Sequence, residues 1–541
     1  MSNGLPEKLR AAFQRFQAQD LADAERLCGE ALGESPRHPG ALHLLGMVLG
    51  AQGRMEEALA SFQKVLSSAP GSADAHYNVG TALKELGRHE AAAAAYHSAL
   101  AIEPGNPDTL SNLGIVLAQL GRIDEAIECY HKALARDPRH VHARNNLGNA
   151  LRMQGKLEAA AENFETILAA APGFADAMVN LGTVRAAQGR FQEARALYER
   201  AIRNDPGSSP DARLGIATLH LLNHEFEPGW KGYDLRLDCP EMRQGLRKSM
   251  RTLDLYRRLP RWRGPLEEPE HEVAIWAEQG IGDQVLFSTL IPELLGAGVR
   301  FLYEVDPRLL GAYKRAFPGA RFVALGEPPA EALQRAGRVL LAGSLPGFFR
   351  ADRGSFARQV RQVLTAPPGR AAHYRAALKG HAGIKVAVSW KSARADWWGS
   401  RKTVELMEFS PLLGLRGATF VDVQYGDTSE ERSRVEEATG VRMVRFEEVD
   451  HYHDLEELLA ILDACDLLVT TSNATAHFAG ALGKRTWLLY TADRPPFHYW
   501  AHGGGHRTLW YPAVEVVTAP QLSDWTSLAE FAAAKLANEL D

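Results

Sequence analysis

The chain lacks the features that mark several common classes. Its 541 residues hold four cysteines, Cys28, Cys129, Cys239 and Cys465, far apart and with no C-x-x-C pair, so neither a disulfide framework nor a cysteine zinc site is expected. No run approaches the ~20 apolar residues of a membrane span. The N-terminal MSNGLPEKLRAAFQRFQAQ carries charges throughout where a signal peptide has an apolar core, so a cytoplasmic location is expected. A net charge of -5 with no basic block gives no footprint for nucleic acid or an anionic membrane surface. His451, His453, His498, His502 and His506 have no cysteine or carboxylate companions at ligand spacing, so no metal site is expected; the glycines beside the last three suggest a mobile loop.

What is present is, first, a repeat. Proline recurs at Pro36, Pro70, Pro104, Pro138, Pro172 and Pro206, and alanine at Ala24, Ala58, Ala92, Ala126, Ala160 and Ala194, a period of 34. Glycine keeps the same period at Gly46, Gly80, Gly114, Gly148 and Gly182, and again from Gly53 to Gly189. The first glycine lets two helices approach closely, the second ends a helix, the alanine packs at the crossing and the proline closes the second helix. An aromatic, Phe62, Tyr96, Tyr130, Phe164 or Tyr198, fills the gap between helices. This pattern is identified as six tetratricopeptide repeats over residues 1–206, which stack into a superhelix with a long inner groove. One polar position is also periodic: Asn78, Asn112, Asn146 and Asn180. A ladder of carboxamides can hold an extended peptide by its backbone, or can bond the neighbouring helix instead.

The pattern degenerates over residues 207–270 into a capping repeat and a connector rich in proline, arginine and acidic residues, where Trp230, Tyr233 and Trp262 read as packing residues. From residue 271 strands and helices alternate, as in an α/β domain. Buried strands are expected at Glu272–Ala277 and near 301–305, 321–325 and 339–342, then at 384–390, 419–424, 467–471 and 486–490, with a helix from Val285 to Leu295. These form two Rossmann-like halves, 271–366 and 367–541, joined by TAPPGRAAHYRAALKGHAG. Gly280 and Gly282 open the first turn and present Asp283 at a helix N-terminus, but Val285 stands where a dinucleotide fingerprint needs a third glycine.

The stretch Ser472–Lys484 is strand, polar turn and helix. Ser472 or Asn473 can cap that helix, leaving the amides of Ala474, Thr475 and Ala476 and the positive end of the helix dipole for a phosphate, with His477 one turn further on as an additional donor. Lys391, Gln424 and Tyr425 fall at carboxyl ends of neighbouring strands, where ligands of open α/β sheets bind. Arg401 and Lys402 are further candidates for phosphate. Two facing halves with Asp283 on one rim and a phosphate cradle on the other describe a GT-B glycosyltransferase.

The ordered segments AEQGIGDQVLF, VSWKS, FVDVQYGD, LLVTTSNATAHFAGALGK and LWYP, following such repeats, resemble the bacterial repeat-fused glycosyltransferases that include flagellin glycosyltransferases. The catalytic part is similar to that of the heptosyltransferases, and the layout, asparagine ladder included, resembles O-GlcNAc transferase. The resemblance implies inverting, metal-independent transfer of a sugar from a nucleotide-sugar donor, with no cofactor, to Ser or Thr of a polypeptide such as flagellin. Asp283 is then the base, Lys391, Thr475 and His477 stabilise the leaving group, Gly282, Gln284, Trp390, Gln424, Tyr425 and residues Ser472 to Ala476 bind donor, and the four asparagines bind acceptor. Many relatives carry aspartate at the position of Ser472, which leaves the donor sugar open. The contrasting expectation is an adaptor that works through its repeats with an inert α/β part.

Overall fold

The structure, a computed structural model, describes residues 4–206, 209–239, 256, 258–266, 271–278, 280–326, 330–392, 402–491, 498–501, 506–518 and 524–540. Most of the connector read between the helices and the first strand, 240–255, lies outside them. The chain divides into two compact units, Met1–Leu181 and Gly182–Asp541.

The first unit is built of antiparallel helical hairpins: α1 (Gly4–Gln17) with α2 (Leu21–Glu34), α3 (Pro39–Ala51) with α4 (Met55–Ser68), α5 (Ala73–Glu85) with α6 (His89–Ile102), α7 (Pro107–Gln119) with α8 (Ile123–Arg136) and α9 (Val141–Met153) with α10 (Leu157–Ala170). The next helix, α11 (Ala175–Ala187), runs into the second unit. His38, Ser72, Asn106 and His140 cap α3, α5, α7 and α9 by accepting from backbone amides three residues on. The glycines at the ends of the first helices are left-handed, with φ from +71° at Gly87 to +80° at Gly121, a conformation that side chains resist. The other glycine series has a different cause. A Cβ at Gly46, Gly80, Gly114 or Gly148 would lie 2.5–2.7 Å from the ring of Phe62, Tyr96, Tyr130 or Phe164, so the ring fits only because the side chain is missing.

In the second unit α12 (Phe191–Asn204), α13 (Pro210–Leu222) and α14 (Phe226–Tyr233) continue the helices, and Tyr198 wedges between Gly182 and Gly215 in the same manner. Two parallel sheets follow. The first comprises β1 (Val273–Trp276), β2 (Phe301–Val305), β3 (Arg321–Ala324) and β4 (Arg338–Leu341) in the order β3-β2-β1-β4. The second comprises β5 (Ile384–Ser389), β6 (Ala418–Asp422), β7 (Leu467–Thr470), β8 (Thr486–Leu489) and β9 (Val514–Val517) in the order β6-β5-β7-β8-β9. Continuous apolar strands such as VAIW and LLVT are buried on both faces, as crossover helices demand. Those used below are α15 (Ile281–Ser288), α16 (Ile291–Gly296), α17 (Pro368–Leu378), α18 (Ser429–Thr439), α19 (Leu455–Ala464), α20 (Ala474–Ala481) and α21 (Trp525–Leu540).

One apolar cluster runs from Val273 and Ile275 of the first sheet through Val285, Leu459 and Phe478 to Leu468 and Leu488 of the second. The outer face of the second sheet, Val386, Val388 and Trp487, packs on Leu528 and Leu536 of α21. Trp230 belongs to the shared cluster and donates from its indole nitrogen to the Arg350 carbonyl (3.0 Å). The single helix expected over Val285–Leu295 is two, broken before Pro292, whose ring nitrogen carries no hydrogen for the ladder. It also starts earlier, at Ile281, so Asp283 lies inside its first turn. Strand β9 was not expected.

The glycine contacts give a direct check. Gly114→Ala drives a methyl into a Tyr130 ring that is 2% exposed, and should destabilise by about 1–3 kcal/mol. Gly29→Ala, in the middle of α2 with nothing within 4 Å, should stabilise by roughly 0.5–1 kcal/mol. Urea unfolding of both variants measures this, and equal midpoints would show that the ring does not occupy that place.

Candidate functional site

Each sheet has one point where consecutive connections leave in opposite directions, between β1 and β4 in the first and between β5 and β7 in the second. Such points open a crevice at the carboxyl ends of the strands. In the first sheet it is filled from within. Glu278, directly beyond β1, receives two hydrogen bonds from Arg236 (2.7 and 3.0 Å) and one from the Gly343 amide beyond β4. Arg236 also donates to Ser344 Oγ (3.1 Å) and to the Tyr233 carbonyl (3.2 Å), and both charged side chains are wholly buried. Removing either partner would strand a buried charge, so this pair is a fixed part of the structure.

The second crevice is organised by two carboxamides. Gln424, buried beyond β6, accepts at Oε1 from Ser389 Oγ (3.1 Å), Trp390 N (2.9 Å) and Lys391 N (2.8 Å). Asn473, the residue that caps α20, accepts from Ala476 N (3.3 Å) and from Thr470 Oγ1 (3.2 Å). Its Nδ2 donates to Ser389 Oγ (2.8 Å) and to the Lys391 carbonyl (3.3 Å). The turn after β5 is thereby held from both sides, and the cap takes the Ala476 amide that the sequence had offered to a ligand. The amides of Ala474 and Thr475 remain at the helix start, ahead of the first intrahelical bond. Thr475 Oγ1 lies 3.4 Å from Ser389 Oγ.

Ser472 is not the cap. Its Oγ accepts from the Trp500 indole (3.0 Å). His477, expected as an additional donor beside that turn, packs among aromatic rings. It is 4% exposed, 4.6 Å from the Trp500 ring, with Nδ1 3.2 Å from the Tyr511 hydroxyl. Burial, with the charge of Lys402 adding, pushes its pKa down to about 3, so the ring is neutral. Gly282 faces this ring: a Cβ there would lie 2.9 Å from His477 Cδ2. The two stretches singled out in the sequence, GIGDQ and SNATAHF, therefore meet, and the glycine is what lets α15 and α20 touch. Asp283 sits beside them, half-buried, with its carboxylate accepting from the Gly280 amide (3.3 Å). Its charge adds to the burial that holds the phenols of Tyr499 and Tyr511 well above their usual range.

Other candidates have side-chain partners within the fold. Gln284 is buried, its Oε1 accepting from Asp306 N (2.8 Å) and its carbonyl from the Tyr313 hydroxyl (2.9 Å). The Trp390 ring is buried and its indole donates to Glu431 (3.3 Å), while Lys391 Nζ forms an ion pair with the same carboxylate. Tyr425 is half-buried against Tyr452 (centroids 5.8 Å). Arg401 and His502 lie outside the described residues; the Lys402 carbonyl accepts from Thr471 Oγ1 (2.6 Å). His498, expected in a mobile loop, is half-buried against Trp230, Tyr233 and Tyr499, and the loss of solvent around its ring pushes its pKa down to about 4. Ser389, Glu431, Tyr499, Trp500 and Tyr511 were not picked out as site residues, although Ser389 lies in VSWKS and Tyr511 in LWYP; Glu431 is one glutamate of SEERSRVEE, and nothing local marks Tyr499 or Trp500.

In the first unit the asparagines bond the preceding repeat. Asn78 Nδ2 donates to His43 Nε2 (3.1 Å), Asn112 Nδ2 to the Tyr77 hydroxyl (2.9 Å) and Asn180 Nδ2 to Asn145 Oδ1 (3.0 Å). Asn146 occupies the same half-buried position. Each amide retains a second hydrogen.

The neutral histidines make stability depend on pH with a definite sign. Their folded pKa values lie below the unfolded value of 6.5, so below that pH the unfolded chain takes up protons that the folded chain refuses, and stability falls as pH falls. Between pH 6.5 and 5 each should cost about 2 kcal/mol. NMR of the histidine rings at pH 5 should show His477 and His498 still neutral. Protonation with a midpoint near 6.5 would contradict their burial.

Comparison with known proteins bears on the two parts unequally. The tetratricopeptide repeat family matches residues 12–73, 43–107, 111–173 and 154–209. Among solved structures, YrrB, described as a TPR protein with an unusual peptide-binding site, is 25% identical and covers 34% of this chain and 93% of its own (TM-score 0.29). PilW, a type IV pilus biogenesis factor, is 23% identical over 40% of this chain and 100% of its own (TM-score 0.38). Protein FlbA of Caulobacter vibrioides is 29% identical over 363 residues, 62% of this chain, more than the helical segment ending at Tyr233 contains, so that similarity reaches into the sheets. The match spans 58% of FlbA's own length. The N-terminal part of the chain is thus an array of tetratricopeptide repeats, followed by a region of two parallel sheets.

Proposed function

We propose that the chain is a glycosyltransferase of GT-B type that moves a sugar from a nucleotide-sugar to a Ser or Thr hydroxyl of a polypeptide lying along the repeats. The observation that carries this reading is the switch-point turn of the second sheet, where Asn473 and Gln424 hold the backbone so that the start of α20 and Lys391 border one crevice. A departing phosphate gains negative charge, and fixed amides, a helix dipole and an ammonium stabilise that charge without reorganising. The reaction then needs no metal.

On this reading Asp283 takes the acceptor proton as the hydroxyl attacks the anomeric carbon from the face opposite the phosphate, which inverts the configuration there. The neutral His477 serves by packing, fixing α15 against α20 and hence Asp283 relative to the turn. Of the other nearby carboxylates, Glu278 is tied to Arg236, and Asp427 accepts from the Ser429 amide (2.9 Å). The second amide hydrogens of Asn78, Asn112 and Asn180 are available to a peptide backbone, and flagellin is the acceptor that the sequence resemblance suggests. The adaptor reading is favoured by one observation, that Lys391 is already neutralised by Glu431.

Asp283→Asn keeps the shape and removes the base, so transfer should fall by at least about 100-fold with nucleotide affinity little changed. Intact-mass analysis of flagellin coexpressed with wild type or variant measures it. A near-normal rate in the variant excludes Asp283, and an adaptor would modify nothing while both forms capture the same partner. Deleting residues 1–138 should abolish modification of the protein acceptor and leave slow donor hydrolysis, because remote contacts hold the hydroxyl near the sugar. Full-rate modification by the shortened chain would remove the repeats from acceptor binding.

A further inference from the structure

The Lys391–Glu431 ion pair lies at the crevice of the second sheet, between the turn after β5 and the first turn of α18. The two partners are held very differently. Glu431 is 15% exposed and is fixed by the indole of Trp390, itself fully buried, which donates to Oε1. A carboxylate in the first turn of a helix is also favoured by the dipole. Lys391 is 34% exposed, and only its backbone is clamped, the amide by Gln424 and the carbonyl by Asn473. Its ammonium ends a four-carbon chain with rotatable bonds and carries three hydrogens, of which the carboxylate can use only some.

We propose that Glu431 is a built-in counter-ion for Lys391, holding the ammonium beside the crevice until an anionic ligand displaces it and so setting how tightly phosphate is bound there. This rests on the reading of the crevice as the phosphate site. A phosphate bearing two charges competes with a carboxylate bearing one, and also engages the start of α20. Affinity is then lowered by the competition, and the site favours the more highly charged anion. Glu431 acts through Lys391 and is a positioning residue.

The test uses the full-length protein and calorimetric titration with inorganic pyrophosphate and with inorganic phosphate. Glu431→Gln keeps an oxygen for the Trp390 indole and removes the competing charge, so pyrophosphate should bind about two- to fivefold more tightly, the range expected for losing one partly exposed ion pair. The gain should vanish when Lys391→Ala is added, and Lys391→Ala alone should weaken binding. A purely structural carboxylate would change the unfolding midpoint and not the affinity. If Lys391→Ala weakens binding while Glu431→Gln leaves it unchanged or weakens it, the counter-ion role is overturned and the phosphate site stands. If neither substitution alters binding, both are overturned.

Discussion

The second sheet depends on one buried arrangement: a single side-chain oxygen, Gln424 Oε1, accepts from Ser389 Oγ and two successive amides at the end of β5, while Asn473 holds the same turn from the other side. At a switch point the chain leaves neighbouring strands in opposite directions, and the amides beyond β5 have no strand to pair with. Unpaired, each would cost about 1–3 kcal/mol. The carboxamides satisfy them without adding charge, and the start of α20 and the Lys391 ammonium border the same turn among the described residues.

The two switch points show two solutions to the same geometric problem. In the first sheet a guanidinium fills the crevice and pairs with Glu278 across β1 and β4, tying the segment just after α14 to the sheet. In the second the filling is neutral. The two crevices thus differ in whether a charged pair or neutral carboxamides occupy them, although both sheets are parallel and both reverse once. Between them lies an aromatic layer of Tyr499, Trp500 and Tyr511 around His477, dry enough to keep the imidazole neutral.

The repeats follow a simpler rule. Close approach between helices is purchased with a missing side chain, and the ring opposite fills the space. The asparagines show how one residue type at one position serves neighbour contacts and still leaves a hydrogen for a ligand, so the structural use seen between Asn112 and Tyr77 does not conflict with a binding role.

By itself the sequence determined the repeats almost completely, because each hairpin is decided by contacts within about 34 residues, and glycine, alanine, aromatic and proline each have a local reason for their place. It also determined most of the strands, since burial on both faces demands continuous apolar runs. Strand β9 escaped because VEVV is interrupted by a glutamate and follows a stretch rich in glycine and aromatics. The division of α15 from α16 turned on one proline. The tertiary structure alone decided which residues of the crevice are free to act. That Ser472 is taken by Trp500, that His477 lies against Tyr511, that Gln284 and Glu278 are occupied and that Lys391 faces Glu431 all depend on partners 22 to 42 residues away in sequence. Hydrogen bonding and desolvation are properties of the assembled neighbourhood, and no spacing along the chain encodes them.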